Sequence, residues 1–207
     1  MTTMTKSMTT LLLLLLLSLS SLQCEGRRNV MGLTRLQSAA PDKHARHARI
    51  LVHTASWATI STISDKNGGP FGHIVSYSDG VGEAASASTG EVFFYMTTMD
   101  ETANNLAKNP RGAVSISMAQ DAPCKNDVQD PTCWKLTLLG DIVPVEAGDA
   151  YDHALDALFS RHPQMKYWPR NHAFQPYVLK LKEAILLDFY GGAKHITPED
   201  YYSVQLD

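Results

Sequence analysis

Several common signatures are missing from this sequence. Acidic and basic residues nearly balance at a formal net charge of −3, and no nucleic-acid-binding motif occurs, so a nucleic-acid partner is not indicated. Beyond residue 22 there is no run of about 18 apolar residues, which argues against a membrane-spanning helix. No asparagine begins an Asn-x-Ser/Thr sequon, so N-glycosylation is not expected. The G-x-S-x-G motif of many hydrolases is also missing.

The longest apolar run lies close to the N-terminus. Residues 11–17 are all leucine, Lys6 precedes them, and small polar residues such as Ser20 and Ser21 follow. A charged segment, a short apolar segment and then small residues are typical of a secretory signal peptide. We therefore predict a signal peptide over residues 1–24, with cleavage between about residues 20 and 26, and a secreted, extracellular protein.

Cysteine is scarce. Cys24 lies near or inside the predicted leader, which leaves Cys124 and Cys133 in the mature chain. An isolated pair in an oxidising compartment predicts one disulfide, which on chain-entropy grounds is worth about 2.5–3 kcal/mol. No further cysteine or histidine lies near this pair, so it does not indicate a zinc site.

The segment after the leader is polar and has no clear periodicity. We predict a flexible arm over residues 25–42, whose arginines leave open a role as a basic arm for an acidic partner. Asp42 then provides an N-cap for a helix over residues 43–55. Its apolar stripe is Ala45, Ala48, Leu51, Val52 and Ala55, and Arg46, Arg49 and the histidines lie off this stripe. We interpret the histidines, His44, His47 and His53, as part of a solvated basic face, because no carboxylate stands at a metal-ligand spacing.

The remaining chain is dominated by short segments with the alternation of strands. They lie at residues 57–64, 71–77, 91–97, 112–118, 134–145 and 177–189. Two helices are predicted among them, at residues 99–108 and 147–160. The alternation slips at residues 138–140 and near Glu183, as β-bulges would cause. This succession predicts a mainly β fold with flanking helices, a closed or partly closed antiparallel barrel.

Four features of the sequence resemble one known family. They are WATISTIS at residues 57–64, FSRHPQMKYWP at residues 159–169, LDFYGGAKHITPEDYY at residues 187–202, and the Cys124/Cys133 pair. The stretch from about residue 43 to residue 207 is similar to the CREG family of secreted cellular repressor glycoproteins. Their barrel is in turn related to that of pyridoxamine-phosphate-oxidase-like proteins.

The resemblance implies a fold, an assembly and a function. It implies an FMN-binding-type split β-barrel over residues 43–207 that forms a homodimer outside cells or in endosomes and lysosomes. It also implies a non-catalytic protein that acts through protein binding in growth control, differentiation or lysosome function. Relatives that carry N-glycans use them for lysosomal sorting, and this sequence departs from them there because it has no sequon.

The wider superfamily binds FMN in a groove between two subunits, and a hydroxyl side chain and basic residues hold the phosphate. The positions of this chain that match are Thr97, Thr98, Thr102 and Asn105, which we predict as a vestigial FMN pocket. Where flavin-binding relatives present His and Arg, this chain has Thr102 and Asn104.

The acidic residues next to this pocket disfavour a phosphate. Asp100 and Glu101 stand at the start of the predicted helix, where their charge repels a phosphate that Arg or Lys would normally bind. We predict no bound cofactor, no metal and no catalytic residue, and expect the loop between Cys124 and Cys133 to cover the groove. The alternative is an FMN-dependent oxidoreductase with an atypical phosphate site.

Overall fold

A closed barrel of antiparallel strands forms the body of the protein. The computed structural model describes residues 42–120 and 124–207, so the predicted signal peptide and almost all of the predicted arm lie outside the described residues. Within the described part, the barrel strands are β1 (Trp57–Ile63), β2 (Pro70–Gly80), β3 (Ser88–Met96), β4 (Arg111–Ser117), β5 (Lys135–Pro144) and β6 (Gln175–Leu187). Their order is β3-β2-β1-β4-β5-β6, and β3 pairs with β6 to close the barrel, which confirms the predicted fold.

Helices and one extra strand flank the barrel. The helices are α1 (Lys43–Thr54), α2 (Glu101–Lys108), α3 (Asp149–Arg161) and α4 (Pro198–Ser203). A short strand, β7 (Lys194–Ile196), pairs with β6. The sequence did not predict β7 or α4, because segments of this length show no measurable periodicity. None of the helices in the described residues is long and apolar enough to cross a membrane.

One β-bulge lies where β5 pairs with β6, and its extra residue is on β6. Leu139 pairs with Glu183, but the next residue, Gly140, pairs with Leu181, so Lys182 is left without a partner opposite it. A side chain at Gly140 would collide with the carbonyl oxygen of Lys180, which explains the glycine. The predicted bulge near Glu183 is therefore confirmed, whereas burial alternates without a break along β5, so the predicted slip at residues 138–140 is wrong.

Apolar side chains fill the barrel and seat the helices on it. Ile60, Val114 and Leu138 are fully buried inside the barrel. The apolar stripe of α1, which includes Ala48 and Val52, joins the same cluster. Residues of α3 and the turn after it pack in a second cluster against β3 and β6. Burial of about 25 cal/mol per Å² of apolar surface is the main term that holds these layers together.

Arg49 is buried, although the sequence places it off the apolar stripe of α1. Its side chain is 1% exposed and donates hydrogen bonds to the backbone oxygens of Val204 (2.9 Å) and Ser88 (2.9 Å). Its guanidinium also lies over the ring of Tyr201, 5.3 Å from the ring centre. Arg49 therefore joins α1, β3 and the C-terminal segment from inside the protein.

The histidine prediction on α1 is wrong as well. The Nδ1 atoms of His44 and His47 each lie 2.8 Å from Oδ2 of Asp188, a carboxylate just beyond the end of β6. Burial raises the pKa of Asp188, but the hydrogen bonds from His47 and His44 outweigh it, so its pKa lies below the ordinary value. Linear spacing does not reveal this carboxylate, because the fold brings it to α1 from the other end of the chain.

The loop between Cys124 and Cys133 is tied by the predicted disulfide, with the two Cα atoms 5.4 Å apart. Lys135 donates to several loop carbonyls, including those of Val128 and Asp130 at 3.0 Å each. Hydrogen bonds from the side chain and backbone of Thr132 lower the pKa of Asp130 to about 2. The Asp130 carboxylate therefore stays ionised, and keeps these bonds, well into the acidic range.

A second buried ionic group lies at the end of β2. Asp79 is fully buried and its carboxylate is 3.0 Å from Nη1 of Arg161, the last residue of α3. Oδ1 of Asp79 is also 3.1 Å from Nδ1 of His53 on α1, and Oδ2 accepts a hydrogen bond from the hydroxyl of Ser88. This carboxylate joins two helices and two strands.

We expect Asp79→Ala to destabilise the protein by about 3–5 kcal/mol, because Arg161 then remains buried without its buried counter-charge, and the remaining acidic neighbour, Glu83 at 3.7 Å, is exposed. The matched control is Asp141→Ala, which removes a carboxylate from the partly exposed pair with Lys182 and should cost at most about 1 kcal/mol. Denaturant unfolding of both variants measures the difference. Equal, small losses would contradict the role given to Asp79.

Candidate functional site

A groove opens on the outside of the barrel beside β2 and β3. It has a volume of about 460 Å³, and its lining comes from these strands, the start of α2 and the segment between α3 and β6. That segment contains two short 3-10 turns, Pro163–Tyr167 and Arg170–His172.

One wall of the groove is aromatic. Tyr95 on β3 lies nearly parallel to Trp168 (ring centres 5.9 Å apart) and to Phe174 (5.3 Å), while Phe159 meets it edge-on at 5.4 Å. Burial, followed by the nearby Tyr151, raises the pKa of Tyr95, so its phenol stays neutral. This wall offers a flat apolar surface to a planar ring or to an apolar side chain.

The polar end of the groove is acidic. Asp100 caps α2, because Oδ1 accepts a hydrogen bond from the backbone N–H of Thr102 at 2.6 Å. Its other oxygen lies 3.1 Å from Nδ1 of His73 on β2. Glu101 pairs with Lys66. The helix N-terminus, which in a phosphate site faces the ligand, is already satisfied here by a carboxylate of the same chain.

Of the four residues predicted for the pocket, only Thr97 lines the groove. Its hydroxyl donates to the backbone oxygen of His172 and accepts from the backbone N–H of Met99 at 3.2 Å. Thr98 is exposed beside the groove and is not part of its lining. The structure thus brings one of the three predicted threonines to the lining of the groove.

Thr102 and Asn105 lie beneath the groove. Thr102 is fully buried, with its hydroxyl 3.3 Å from Nδ1 of His73. Asn105 is 1% exposed, donates to the hydroxyl of Thr62 at 3.0 Å and accepts from the backbone N–H of Asp65 at 2.9 Å. Both side chains tie α2 to the first hairpin. A role for them in holding a phosphate stays a prediction.

Sequence reasoning missed most of the groove. His73, Trp168, His172 and Phe174 all line it. Alternation along the second predicted strand places His73 on the same face as Phe71, and that was the one available signal for it. The others come from a segment without regular periodicity, whose position only the fold determines.

The predicted cover over the groove is wrong for the single chain. Among the described residues, none from the loop between Cys124 and Cys133 lines the groove. The loop instead contacts the segment after β6, where the hydroxyl of Tyr190 lies 3.2 Å from Oδ2 of Asp130. The aromatic wall, not the disulfide loop, narrows the groove.

Comparison with known families identifies relatives over most of the chain. The model of the family described as CREG, beta-barrel matches residues 39–203. Protein CREG1 of Mus musculus is 38% identical over 167 residues, covering 78% of this chain and 74% of that protein. Protein CREG1 of Homo sapiens is 37% identical over 166 residues, covering 77% and 74%. Protein CREG2 of Homo sapiens is 34% identical over 177 residues, covering 83% and 60%.

Solved structures share the barrel at lower identity. A heme binding protein from Mycobacterium smegmatis has a TM-score of 0.64 at 21% identity, over 81% of this chain and 63% of that one. A Clostridium acetobutylicum protein of the pyridoxinephosphate oxidase family has a TM-score of 0.53 at 12% identity, over 77% and 98%. This chain spans less than two thirds of the mycobacterial protein. At such identities the likeness establishes the fold alone.

We expect Asn105→Ala to lower the free energy of unfolding by about 1–3 kcal/mol, because it leaves the Thr62 hydroxyl and the Asp65 N–H without their partner. The control Thr98→Ala, at an exposed position beside the same groove, should change stability by no more than about 0.5 kcal/mol. Thermal or denaturant unfolding compares the two. A neutral Asn105→Ala would contradict a structural role.

Proposed function

This chain belongs to the CREG family, and on that premise we propose that it is a secreted, non-catalytic homodimer that acts by binding other proteins. Its groove is a vestigial flavin pocket. The observation that carries this proposal is the helix start at Asp100, where a carboxylate that lines the groove already accepts a hydrogen bond from the helix N-terminus.

The charges around the groove support the vestigial interpretation. A phosphate monoester carries a charge of about −1.5 to −2 near neutral pH and needs Arg or Lys in direct contact. Among the described residues, no Arg or Lys lines the groove, and Lys108 and Arg111 are exposed outside it. Of the two histidines that line it, His73 is already paired with Asp100. A bound phosphate would therefore meet a net negative site.

Exposed apolar side chains around the groove support a homodimer. Ile74, which lines the groove, is 62% exposed, and Met99 and Tyr167 beside it are 69% and 85% exposed. Side chains of this size gain about 1.5–3 kcal/mol each when fully buried. The superfamily groove lies between subunits, so these residues would pack against a second copy of the chain.

An exposed aromatic pair in the segment after β6 supports contact with other proteins. Phe189 and Tyr190 are 61% and 60% exposed, and Tyr190 is anchored to the disulfide loop through Asp130. Aromatic residues held by a rigid neighbour are typical anchors of protein interfaces. This pair would contact the protein partner through which the chain acts in growth control, differentiation or lysosome function.

The compartment follows from sequence features. A leucine-rich leader precedes the barrel, and a disulfide closes a loop within it, both of which support secretion. Endosomes and lysosomes are the further location that family membership suggests. Because the sequence has no N-glycosylation sequon, sorting to them would use a contact with the protein surface rather than with a glycan.

One observation favours a second candidate, an FMN-dependent oxidoreductase with an atypical phosphate site. The nearly parallel rings of Tyr95 and Phe174 form a wall on which an isoalloxazine ring fits by stacking. The similar structures include a heme binding protein and a pyridoxinephosphate oxidase family member. A planar ligand in the groove is therefore the outcome against which the first proposal is tested.

We expect FMN at high micromolar concentration to show no fluorescence quenching with the dialysed protein. Riboflavin and haemin serve as probes of the aromatic wall without the flavin phosphate, and neither should bind at one per chain. Stoichiometric binding of either flavin or of haemin would overturn the vestigial interpretation.

A charge variant tests the reason for the weak binding. Asp100→Asn keeps an oxygen for the N-cap bond but removes the negative charge. If repulsion sets the limit, FMN affinity rises in this variant and riboflavin affinity does not change. An equal effect on both ligands would show that the charge is not the cause.

We expect the mature protein to have the mass of a dimer by light scattering and Ile74→Glu to shift it to monomer, because a buried unpaired carboxylate is costly at an interface. The control is Val128→Glu in the disulfide loop, a position of similar exposure (60%) outside the groove. A monomeric wild-type chain, or identical masses for the two variants, would contradict this dimer face.

A further inference from the structure

A histidine pair and a buried carboxylate converge on the side of the barrel where α1 meets the end of β6. The ligand atoms of His44, His47 and Asp188 all lie within 4.8 Å of one another. Asp188 is 5% exposed, whereas the histidine side chains are 18% and 32% exposed. The cluster is closed towards the protein and open towards solvent on the histidine side.

The fold fixes both imidazoles before any ligand arrives. His44 and His47 are three positions apart on α1, so they project from one face of the helix. The ring of His47 stacks on Trp134, with ring centres 4.1 Å apart and planes 20° apart. This stacking limits rotation of the imidazole and lowers the entropy that ligand binding would cost.

One carboxylate oxygen accepts both hydrogen bonds in the cluster. Both Nδ1 atoms point to Oδ2 of Asp188, at 2.8 Å each. A carboxylate only accepts, so each neutral ring must carry its proton on Nδ1. If each proton moves through water to Nε2, both Nδ1 lone pairs become free and face the same point as Oδ2, with no net change in protonation.

We propose that His44, His47 and Asp188 bind a divalent transition-metal ion, with Zn²⁺ as the natural probe and water in the fourth position. Zinc–nitrogen and zinc–oxygen bonds of about 2.0–2.2 Å place tetrahedral ligands about 3.3–3.5 Å apart, so each 2.8 Å contact lengthens by about 0.6 Å. A small rotation of the Asp188 side chain, whose Oδ2 makes both contacts, supplies such a change without movement of α1 or of the stacked His47 ring.

The ligand set selects the class of ion. Two imidazoles and one carboxylate suit Zn²⁺, Cu²⁺ or Ni²⁺, and three ligands are too few for Ca²⁺, which prefers six to eight oxygens. The bound ion would clamp α1 to the end of β6 and leave one coordination position for an external ligand. This inference does not depend on the proposed function, since the cluster shares no residue with the groove lining.

Zinc content tests the inference. The full chain is secreted without a histidine tag, stripped with a chelator, dialysed against Zn²⁺ at neutral pH and assayed for bound metal. We expect one zinc per chain, together with a rise in melting temperature that the chelator reverses. Asp188→Asn and His47→Gln should each lose the bound zinc and the thermal shift.

A matched histidine variant and a spectroscopic probe complete the experiment. His195→Gln removes an exposed histidine that is paired with Glu183, and it should retain one zinc per chain. Co²⁺ in the wild type should give visible absorption bands of a tetrahedral site and quench Trp134, and Trp134→Phe should keep the bands while losing that quenching. These readouts on the wild type remain decisive if a ligand variant fails to fold. Wild-type chain without retained zinc or cobalt bands, or zinc that remains in folded Asp188→Asn, would overturn the proposal.

Discussion

A carboxylate without access to solvent, Asp79, is the constraint on which the placement of the helices depends. A buried charge is tolerated only when neighbouring groups compensate it, and here Arg161 and His53 supply the compensation. Ser88 donates to the same carboxylate and accepts from Arg49, so the network continues to the C-terminal segment. The position of α1, α3 and the chain end on the barrel is therefore specified by polar contacts as well as by apolar burial.

This network also determines the shape of the groove. Arg161 ends α3 at Asp79, and the next residue, His162, is fixed by a 2.8 Å contact between its Nε2 and the backbone oxygen of Tyr77. The chain then enters the turns that carry Met165 and Trp168 into the groove wall. The barrel thus keeps a cleft with a flat aromatic side. At its other end, the carboxylate of Asp100 caps α2 and makes the start of this helix acidic.

Alternation and turn residues predicted the barrel well, because strand period and bulges are local properties. Even the bulge near Glu183 could be located, since an extra residue reverses the apolar phase of the strand that carries it. Long motifs such as the one at residues 187–202 identified the CREG family, which the comparisons confirm. The resemblance also predicted a flavin pocket, and of its four predicted residues only Thr97 lines the groove.

Contacts between distant segments could not be predicted in the same way. His44 and His47 were interpreted as solvated, and Arg49 as lying off the buried stripe, because their partners lie near the C-terminus. The cover expected from the disulfide loop failed for the same reason, as a loop's direction depends on what it packs against. A single sequence does not show which distant segments come into contact. A charged residue on a helix is therefore predicted to be exposed unless its buried partner is known.

Native mass spectrometry of the protein recovered from the medium of secreting cells is the most direct test of a secreted homodimer that holds no flavin. It reports the processed length, the number of chains and any retained small molecule in one spectrum. We expect two chains without the leader and no flavin or haem adduct. A flavin retained at one per chain would contradict it and would make the groove an active site.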